Sequence, residues 1–129
     1  MYWLTVNYDS TDLIKRLIQS LEVHLGSNSQ LIIVNNSPND SSIHQLKSPV
    51  VLIFDASENL GFGRACNLGL NWVYQQDHQA VVWLINPDAI LSEHSAIQGS
   101  QFFEQYPELS ILGTVIYNTN QELEFTGGE

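Results

Sequence analysis

The stretch Val81-Val82-Trp83-Leu84-Ile85-Asn86-Pro87-Asp88-Ala89-Ile90-Leu91 decides the fold, because an apolar run ends there abruptly at an amide and a lone carboxylate. An uninterrupted apolar run bounded by polar residues is typical of a strand buried on both faces, as in a parallel sheet. Pro87 has no N–H to donate and disfavours helix at the preceding residue, so the strand ends here. Asn86 and Asp88 are therefore predicted at the carboxyl end of a strand, where ligands bind in open α/β sheets.

Four further apolar runs alternate with helical patterns along the chain. Together with residues 81–85 they predict five strands, the others covering residues 2–6, 31–34, 50–54 and 111–117. The helical patterns predict helices over about residues 13–25, 41–46, 63–76 and 92–106. Ser10 or Thr11 is the expected cap of the first helix, Gly26 its stop, and Pro107 the end of the last.

Strands that alternate with helices imply parallel pairing with right-handed crossovers. We therefore expect an α/β fold, with a mostly parallel Rossmann-like sheet and helices on both faces. A chain of 129 residues is long enough to bury a core as one domain. The last four residues, Thr-Gly-Gly-Glu, contain no closing element. We expect residues 1–129 to form a single domain that is truncated at its C-terminus.

The charge balance restricts the class of ligand. The formal net charge is −10, and the only Lys and Arg residues are Lys15, Arg16, Lys47 and Arg64. Nucleic acids and anionic membrane surfaces are thus unexpected partners, because both bind clustered cations. A phosphate-bearing ligand would need a divalent metal to offset the charge.

The sequence contains no recognisable targeting signal, and its single cysteine cannot form an internal disulfide. No apolar run has the length of a membrane span, and the N-terminus lacks the features of a signal peptide. We expect a cytoplasmic protein, with any attachment to the inner face of the membrane supplied by a further portion or a partner. Cys66 is the single cysteine and is expected in the core.

Polar clusters follow each of the first four predicted strands. If the sheet is parallel, all four converge on one edge and line a crevice suited to a polar ligand. Taken singly, each cluster has an ordinary explanation, because Asn, Asp, Ser and Gly form turns and helix caps. The clusters cover residues 7–10, 35–37, 55–64 and 86–88.

The densest cluster contains two glycines beside an aromatic residue. Gly61 and Gly63 allow backbone to approach a ligand closely, and Arg64 lies at the start of a helix, whose N-terminus attracts anions. The pattern is not a dinucleotide fingerprint, since Cys66 stands where that motif needs glycine, and it lacks the Lys-Ser or Lys-Thr of a P-loop. The histidines show no zinc-ligand spacing, and no Gly-x-Ser-x-Gly elbow is present.

Four segments taken together match one known pattern. They are Val6-Asn7-Tyr8-Asp9-Ser10, Ile33-Val34-Asn35-Asn36-Ser37, Asn59-Leu60-Gly61-Phe62-Gly63-Arg64-Ala65-Cys66-Asn67 and Asn86-Pro87-Asp88. In this combination the chain resembles the family 2 glycosyltransferases of GT-A fold over nearly its whole length. The similarity is greatest to the rhamnosyltransferase-like subset.

The resemblance implies a role for several residues. Tyr8 is expected to contact or stack on the nucleobase, the loop from Asn35 to recognise its edge, and Asp88 to hold Mg²⁺ or Mn²⁺. The family usually has Asp at the position of Asn35, and many members carry a first acid where this chain has Asn86. A single carboxylate suffices if the diphosphate supplies further oxygens. The expected nucleotide-sugar-binding residues are Asn7, Tyr8, Asn35, Asn36, Asn59, Gly61, Phe62, Arg64, Asn67 and Asn86.

The resemblance also implies a reaction: inverting transfer of a sugar from a UDP- or dTDP-sugar to a hydroxyl of a glycan or lipid-linked acceptor. Such transfer builds glycans and cell-envelope polysaccharides. Glu122, Glu124 and Glu129 do not match the family's general-base motif, so we expect this chain alone to bind the donor but to transfer the sugar poorly. Two alternatives stay open: a non-catalytic nucleotide-sugar-binding or assembly module that lacks the acceptor half, and a Rossmann-type domain that binds NAD or S-adenosylmethionine without metal.

Overall fold

A computed structural model of the protein describes residues 1–92, 94–108, 110–111, 116–117, 120 and 123–125. The chain divides into two compact units, residues 1–92 and residues 93–129. Within the described residues, no helix has both the length and the apolar character needed to cross a membrane.

The first unit is an α/β layer structure built on four parallel strands. The strands are β1 (Tyr2–Asn7), β2 (Gln30–Asn35), β3 (Val51–Asp55) and β4 (Val82–Leu84). They are ordered β3-β2-β1-β4, and every pair is parallel, which confirms the predicted sheet type. The connections contain helix α1 (Thr11–Leu21), helix α2 (Phe62–Gln76) and two short 3-10 segments (Glu22–His24 and Ser42–Leu46).

Helix α2 covers one face of the sheet. Side chains alternate between faces along a strand, so the even-numbered apolar residues of β1 and β2 point the same way. They form a buried cluster with the inner stripe of α2, and the predicted core position of Cys66 is confirmed. Burial also raises the pKa of the Cys66 thiol. The cluster contains Leu4, Val6, Ile32, Val34, Ala65, Cys66 and Val73.

The other face of the sheet has its own apolar layer. Trp3 of β1 is fully buried; its ring stacks on Trp83 of β4 at 5.1 Å, and its Nε1 donates to Ser29 Oγ at 3.0 Å. Helix α1 presents a fully buried stripe at helical spacing, formed by Ile14, Leu17 and Leu21. The His24 ring, just after α1, lies 6.2 Å from that of Trp3, which places this end of α1 against the same face.

The position of β4 differs from the sequence expectation. Residues 81–85 were predicted to be buried on both faces, but among the described residues β4 pairs only with β1, and Leu84 is 54% exposed. The doubly buried strand segment is residues 31–34 of β2 instead, all of which are fully buried. An apolar run predicts that a strand is buried, but it does not give the position of that strand in the sheet. The strand order determines which run lies in the middle of the described sheet.

Helix boundaries also differ in detail. Ser10 is at the N-cap of α1, but its hydroxyl donates to the Tyr8 carbonyl and makes no capping bond. The helix ends at Leu21 and continues as a 3-10 turn, so Gly26 lies beyond its end. The helix predicted over residues 41–46 is a 3-10 segment, and α2 begins one residue earlier than predicted.

The second unit contains one helix and one small sheet among its described residues. Helix α3 (Ser95–Gln105) ends before Pro107, as predicted. Strands β5 (Ile116–Tyr117) and β6 (Leu123–Phe125) pair antiparallel. For residues 116–117, the prediction that residues 111–117 form a strand of the parallel sheet is therefore wrong, because these two residues pair with β6, which follows closely in sequence. Ile111 is outside any strand, and residues 112–115, 122 and 126–129 lie outside the described part of the chain.

Candidate nucleotide-binding site

The carboxyl ends of three adjacent strands carry polar side chains in register. Asn7 of β1 pairs with Asn35 of β2, which in turn pairs with Asp55 of β3. Asn7 and Asn35 are almost completely buried, at 0% and 2% exposed. Buried amides need hydrogen-bond partners, and these residues supply one another.

Asn35 uses all of its hydrogen-bonding capacity inside the protein. Its Nδ2 donates to Asp55 Oδ1 at 2.8 Å and to the Asp40 carbonyl at 3.3 Å. Its Oδ1 accepts from Asn7 Nδ2 at 3.0 Å and from the Ser37 N–H at 3.2 Å. An asparagine side chain has two donors and two acceptor lone pairs, so nothing is left for a ligand. Asp55 Oδ1 also contacts His44 Nε2 at 3.0 Å.

Asp40 joins the loop after β2 to the end of β1 and the start of α1. Its carboxylate accepts from Asn7 Nδ2 at 3.0 Å, from Thr11 Oγ1 at 2.8 Å, and from both the hydroxyl and the N–H of Ser42. These donors favour the ionised form and lower the pKa of Asp40 to about 2, with the Ser42 hydroxyl as the largest cause. Sequence analysis did not identify Asp40; its donors come from three separate segments.

The turn after β1 presents Tyr8 outward. Asn7 Oδ1 accepts from the Ser10 N–H at 2.9 Å, and Ser37 Oγ accepts from the Asp9 N–H at 2.8 Å. Asp9 has a φ of 50°, in the left-handed region that costs an L-residue energy. Such strain persists only where the surroundings impose it, and here the two hydrogen bonds do so. The Tyr8 side chain is consequently 59% exposed.

Asn36 ties the end of β2 to the glycine-containing loop. Its N–H donates to the Asn7 carbonyl at 2.8 Å. Its Nδ2 donates to Asn59 Oδ1 at 2.8 Å, and its Oδ1 accepts from the Leu60 N–H at 2.7 Å. Within the described residues these side-chain bonds use half of the amide's capacity, which leaves one donor and one acceptor of Asn36 for a ligand.

The N-terminus of α2 is an uncapped helix start. Gly61 is the N-cap with a φ of 78°, which a side chain would strain, and its N–H donates to Asn59 Oδ1 at 2.9 Å. No side chain in the described part of the chain makes a capping bond to the first turn. The first-turn N–H groups have no partner within the helix, and they carry the positive end of its dipole.

These segments enclose a cavity of about 370 Å³ at the carboxyl edge of the sheet. The chain proceeds from β1 to β2 and β3 on one side and then places β4 on the other side of β1, so the strand order reverses between β1 and β4. Open α/β sheets bind ligands in the crevice at such a point. None of the described residues that line the cavity has a charged side chain; they contribute amides, a hydroxyl, an aliphatic residue, a proline and two aromatic rings. The lining residues are Val6, Tyr8, Ser10, Asn36, Asn59, Gly61, Phe62, Asn86 and Pro87.

The structure brings six of the ten predicted binding residues to this cavity: Tyr8, Asn36, Asn59, Gly61, Phe62 and Asn86. Asn7 and Asn35 instead support it from within the protein, and Arg64 and Asn67 are exposed residues of α2 outside its lining. Val6 also lines the cavity and was not predicted to do so, whereas Ser10 and Pro87 belong to clusters predicted to line the crevice but not to the ten named binding residues. For Val6 the only sequence signal is adjacency to a strand end.

Asp88 is exposed and directly follows the cavity residue Pro87. Among the described residues, no group of three or more His, Cys, Asp or Glu side chains is arranged to hold a metal ion. The donor set does fit a cation of the Mg²⁺ type, which binds through one or two carboxylates and takes its remaining ligands from phosphate and water.

Structure comparison finds similar folds in solved proteins. The crystal structure of S. aureus TarS 1-349 aligns with a TM-score of 0.64 at 15% sequence identity. The same protein in complex with UDP aligns with a TM-score of 0.64 at 14% identity. Each alignment covers 82% of this chain but only 32% of the TarS chain, so this chain spans about a third of that length. At such low identity the likeness shows the fold, which is GT-A.

Sequence comparison gives a family but no curated relative. A search of curated proteins finds no match. The sequence profile described as glycosyl transferase family 2 matches residues 2–128, nearly the full chain. The chain therefore belongs to glycosyl transferase family 2.

Proposed function

We propose that this chain binds the nucleoside diphosphate part of a sugar donor in the cavity at the carboxyl ends of β1, β2 and β4. The supporting observation is the cavity lining itself, which combines aromatic and amide groups and holds no charge. Small-molecule sites are mostly apolar with a few polar groups that fix orientation. TarS, a protein of the same fold, has been crystallised with UDP, and this supports a UDP- or dTDP-sugar as the donor.

In this proposal, different groups of the chain bind the nucleobase and the diphosphate of the sugar donor. The unused donor and acceptor of Asn36 read the edge of the nucleobase, and the exposed ring of Tyr8 lies against its face. The first-turn N–H groups of α2 bind the diphosphate, as helix N-termini bind phosphates generally. Asn35, assigned to the base edge in the sequence analysis, then acts only by holding Asn7 and Ser37 in place.

Asp88 is the proposed ligand of Mg²⁺ or Mn²⁺. The bound cation would neutralise the negative charge that the diphosphate gains as it leaves the sugar. The reaction proposed is inverting transfer from the anomeric carbon to a hydroxyl of a glycan or lipid-linked acceptor, in cell-envelope polysaccharide synthesis. The four motifs at the strand ends support the rhamnosyltransferase-like subset of the family, whose donor is proposed as a UDP- or dTDP-sugar.

Calorimetric titration tests the proposal. UDP and dTDP are each titrated into wild type and Asp88→Asn, with and without Mn²⁺. Asp77→Asn, with the same charge change beyond the opposite end of α2, is the matched control. We expect Mn²⁺ to tighten binding about tenfold or more in wild type and the control, and to have little effect in Asp88→Asn. Equal affinity in every combination would contradict the metal part of the proposal, and no nucleotide binding at all would contradict its whole.

A further inference from the structure

Phe62 occupies an unusual place on α2. The buried stripe of this helix runs through Ala65, Cys66, Gly69 and Val73. Phe62 precedes Ala65 by three residues and Cys66 by four, so it lies on the same helical face. That periodicity predicts a core residue, yet Phe62 is 60% exposed and lines the cavity. The stripe therefore continues for one turn past the core and over the crevice.

A second exposed ring lines the same cavity. Tyr8, on the turn after β1, is 59% exposed. Two hydrogen bonds, to the N–H groups of Asp9 and Ser10, hold that turn in place. In the described part of the chain, the paired rings are others, and neither Tyr8 nor Phe62 stacks on another aromatic side chain. Both rings thus present apolar surface to the space that the cavity encloses.

The chemistry of the remaining lining selects the kind of group that would lie against these rings. Three amides offer donors and acceptors, and the lining carries no charged side chain. A planar, uncharged heteroaromatic group can stack on the rings and hydrogen-bond to the amides at its edge, whereas a phosphate would leave the rings unmatched. The backbone N–H of Phe62 belongs to the uncapped first turn of α2, so the same residue borders the anion-binding end of the helix.

We infer that Phe62 forms a second aromatic wall of the cavity, against which the nucleobase of the donor stacks. This inference rests on the proposed function and deepens it, since it assigns a base-binding contact to a helix residue rather than to a strand-end loop. The ring contributes binding energy for the nucleoside and makes no contact with the transferred sugar.

The test compares variants that differ only in the ring. Phe62→Ala removes it, Phe62→Leu keeps an apolar side chain, and Phe62→Trp keeps an aromatic face. Tyr74→Ala is the control, because Tyr74 is on the same helix, is 59% exposed, and stacks on His78 at 4.2 Å outside the cavity lining. Circular dichroism and urea unfolding establish that each variant is folded.

Calorimetry with UMP and UDP in Mn²⁺ gives the affinities. We expect Phe62→Ala to raise Kd for both nucleotides by about 5- to 150-fold, the range for loss of one base-stacking ring. Phe62→Leu should fall between Phe62→Ala and wild type, Phe62→Trp should stay within about threefold of wild type, and Tyr74→Ala should have no effect. The uracil H5 and H6 resonances of bound UMP should lose part of their upfield shift in Phe62→Leu.

The experiment distinguishes failure of this inference from failure of the proposed function. If wild type binds UDP and Phe62→Ala binds it within twofold, the inference is wrong while the proposed function stands. If Phe62→Ala weakens a UDP-sugar but neither UMP nor UDP, the ring contacts the sugar and the inference is equally wrong. Wild-type protein that binds neither UDP nor dTDP overturns the proposed function and this inference together.

Discussion

Asn35 and Asn36 are adjacent amides with opposite roles. Both donors and both acceptor lone pairs of the Asn35 amide form hydrogen bonds within the protein. The described partners of the Asn36 amide leave one donor and one acceptor that can bind a ligand in the cavity. Side chains alternate at the end of a strand, so a shift of one residue changes which amide meets a ligand. Because the two residues are identical, the sequence does not show which asparagine contacts a ligand. Their hydrogen-bond partners in the structure show it.

Two glycines of α2 give a matched test at the residue scale. A Cβ at Gly69 would lie 2.5 Å from Cδ1 of the buried Leu4, so Gly69→Ala should overpack the core and lower the free energy of unfolding by about 1–2 kcal/mol despite better helix propensity. A Cβ at Gly63 meets nothing within 4 Å, and Gly63→Ala should raise stability by up to about 1 kcal/mol. Urea unfolding of both variants checks the pair; equal effects would contradict this packing.

At the scale of elements, α2 connects the core to the site. Its middle packs on β1 and β2, and its first turn, fixed by Asn59 and Gly61, opens into the cavity. Hydrogen bonds also fix the loops around the cavity. Asp40 accepts them from β1, from the start of α1 and from the second 3-10 segment. The site is therefore positioned by element ends that the core keeps rigid.

The depressed pKa of Asp40 predicts a pH dependence. A carboxyl group whose folded-state pKa lies at about 2, below its unfolded value, stabilises the fold above the unfolded pKa and loses this effect as pH falls through the folded pKa. Asp40→Asn should lower the free energy of unfolding by about 1–2 kcal/mol at pH 7, through weaker hydrogen bonds. The difference from wild type should shrink between about pH 4 and pH 2.

Urea unfolding at pH 7, 4, 3 and 2 measures that difference. The other carboxyl groups titrate in both proteins, so their contributions cancel in the comparison. Asp12→Asn, an exposed carboxyl group in the first turn of α1, is the control and should show a much smaller change. A difference for Asp40→Asn that is constant from pH 7 to pH 2 would contradict the assigned hydrogen bonds.

At the scale of the whole molecule, the net charge of −10 opposes binding of an anionic nucleotide. Without metal, the affinity for UDP should therefore rise as NaCl increases from about 20 to 200 mM, because salt screens repulsion between like charges. Uridine is neutral and should show no such trend. Calorimetry in EDTA tests this, and UDP affinity that falls with salt would show that local positive groups outweigh the overall charge.

Much of this architecture follows from the sequence itself. Apolar runs that end at residues such as Asn7, Asn35 and Asn86 are sufficient to predict strands with a polar edge, because hydrophobicity and side-chain period are local properties of the chain. The alternation of strands with helices then gives the α/β class, and Gly61 marks the turn before α2. These features need no knowledge of which strands are neighbours.

Strand order, and everything that depends on it, belongs to the tertiary structure. The placement of β4 at the side of β1 leaves Leu84 exposed, and the hairpin of β5 and β6 removes residues 116–117 from the parallel sheet. Two of the four donors to Asp40 belong to Asn7 and Thr11, which are 33 and 29 residues away in sequence, and the exposure of Phe62 likewise depends on how distant segments pack. Local pattern fixes what each segment can be, whereas long-range packing decides which polar groups are satisfied internally and which meet a ligand.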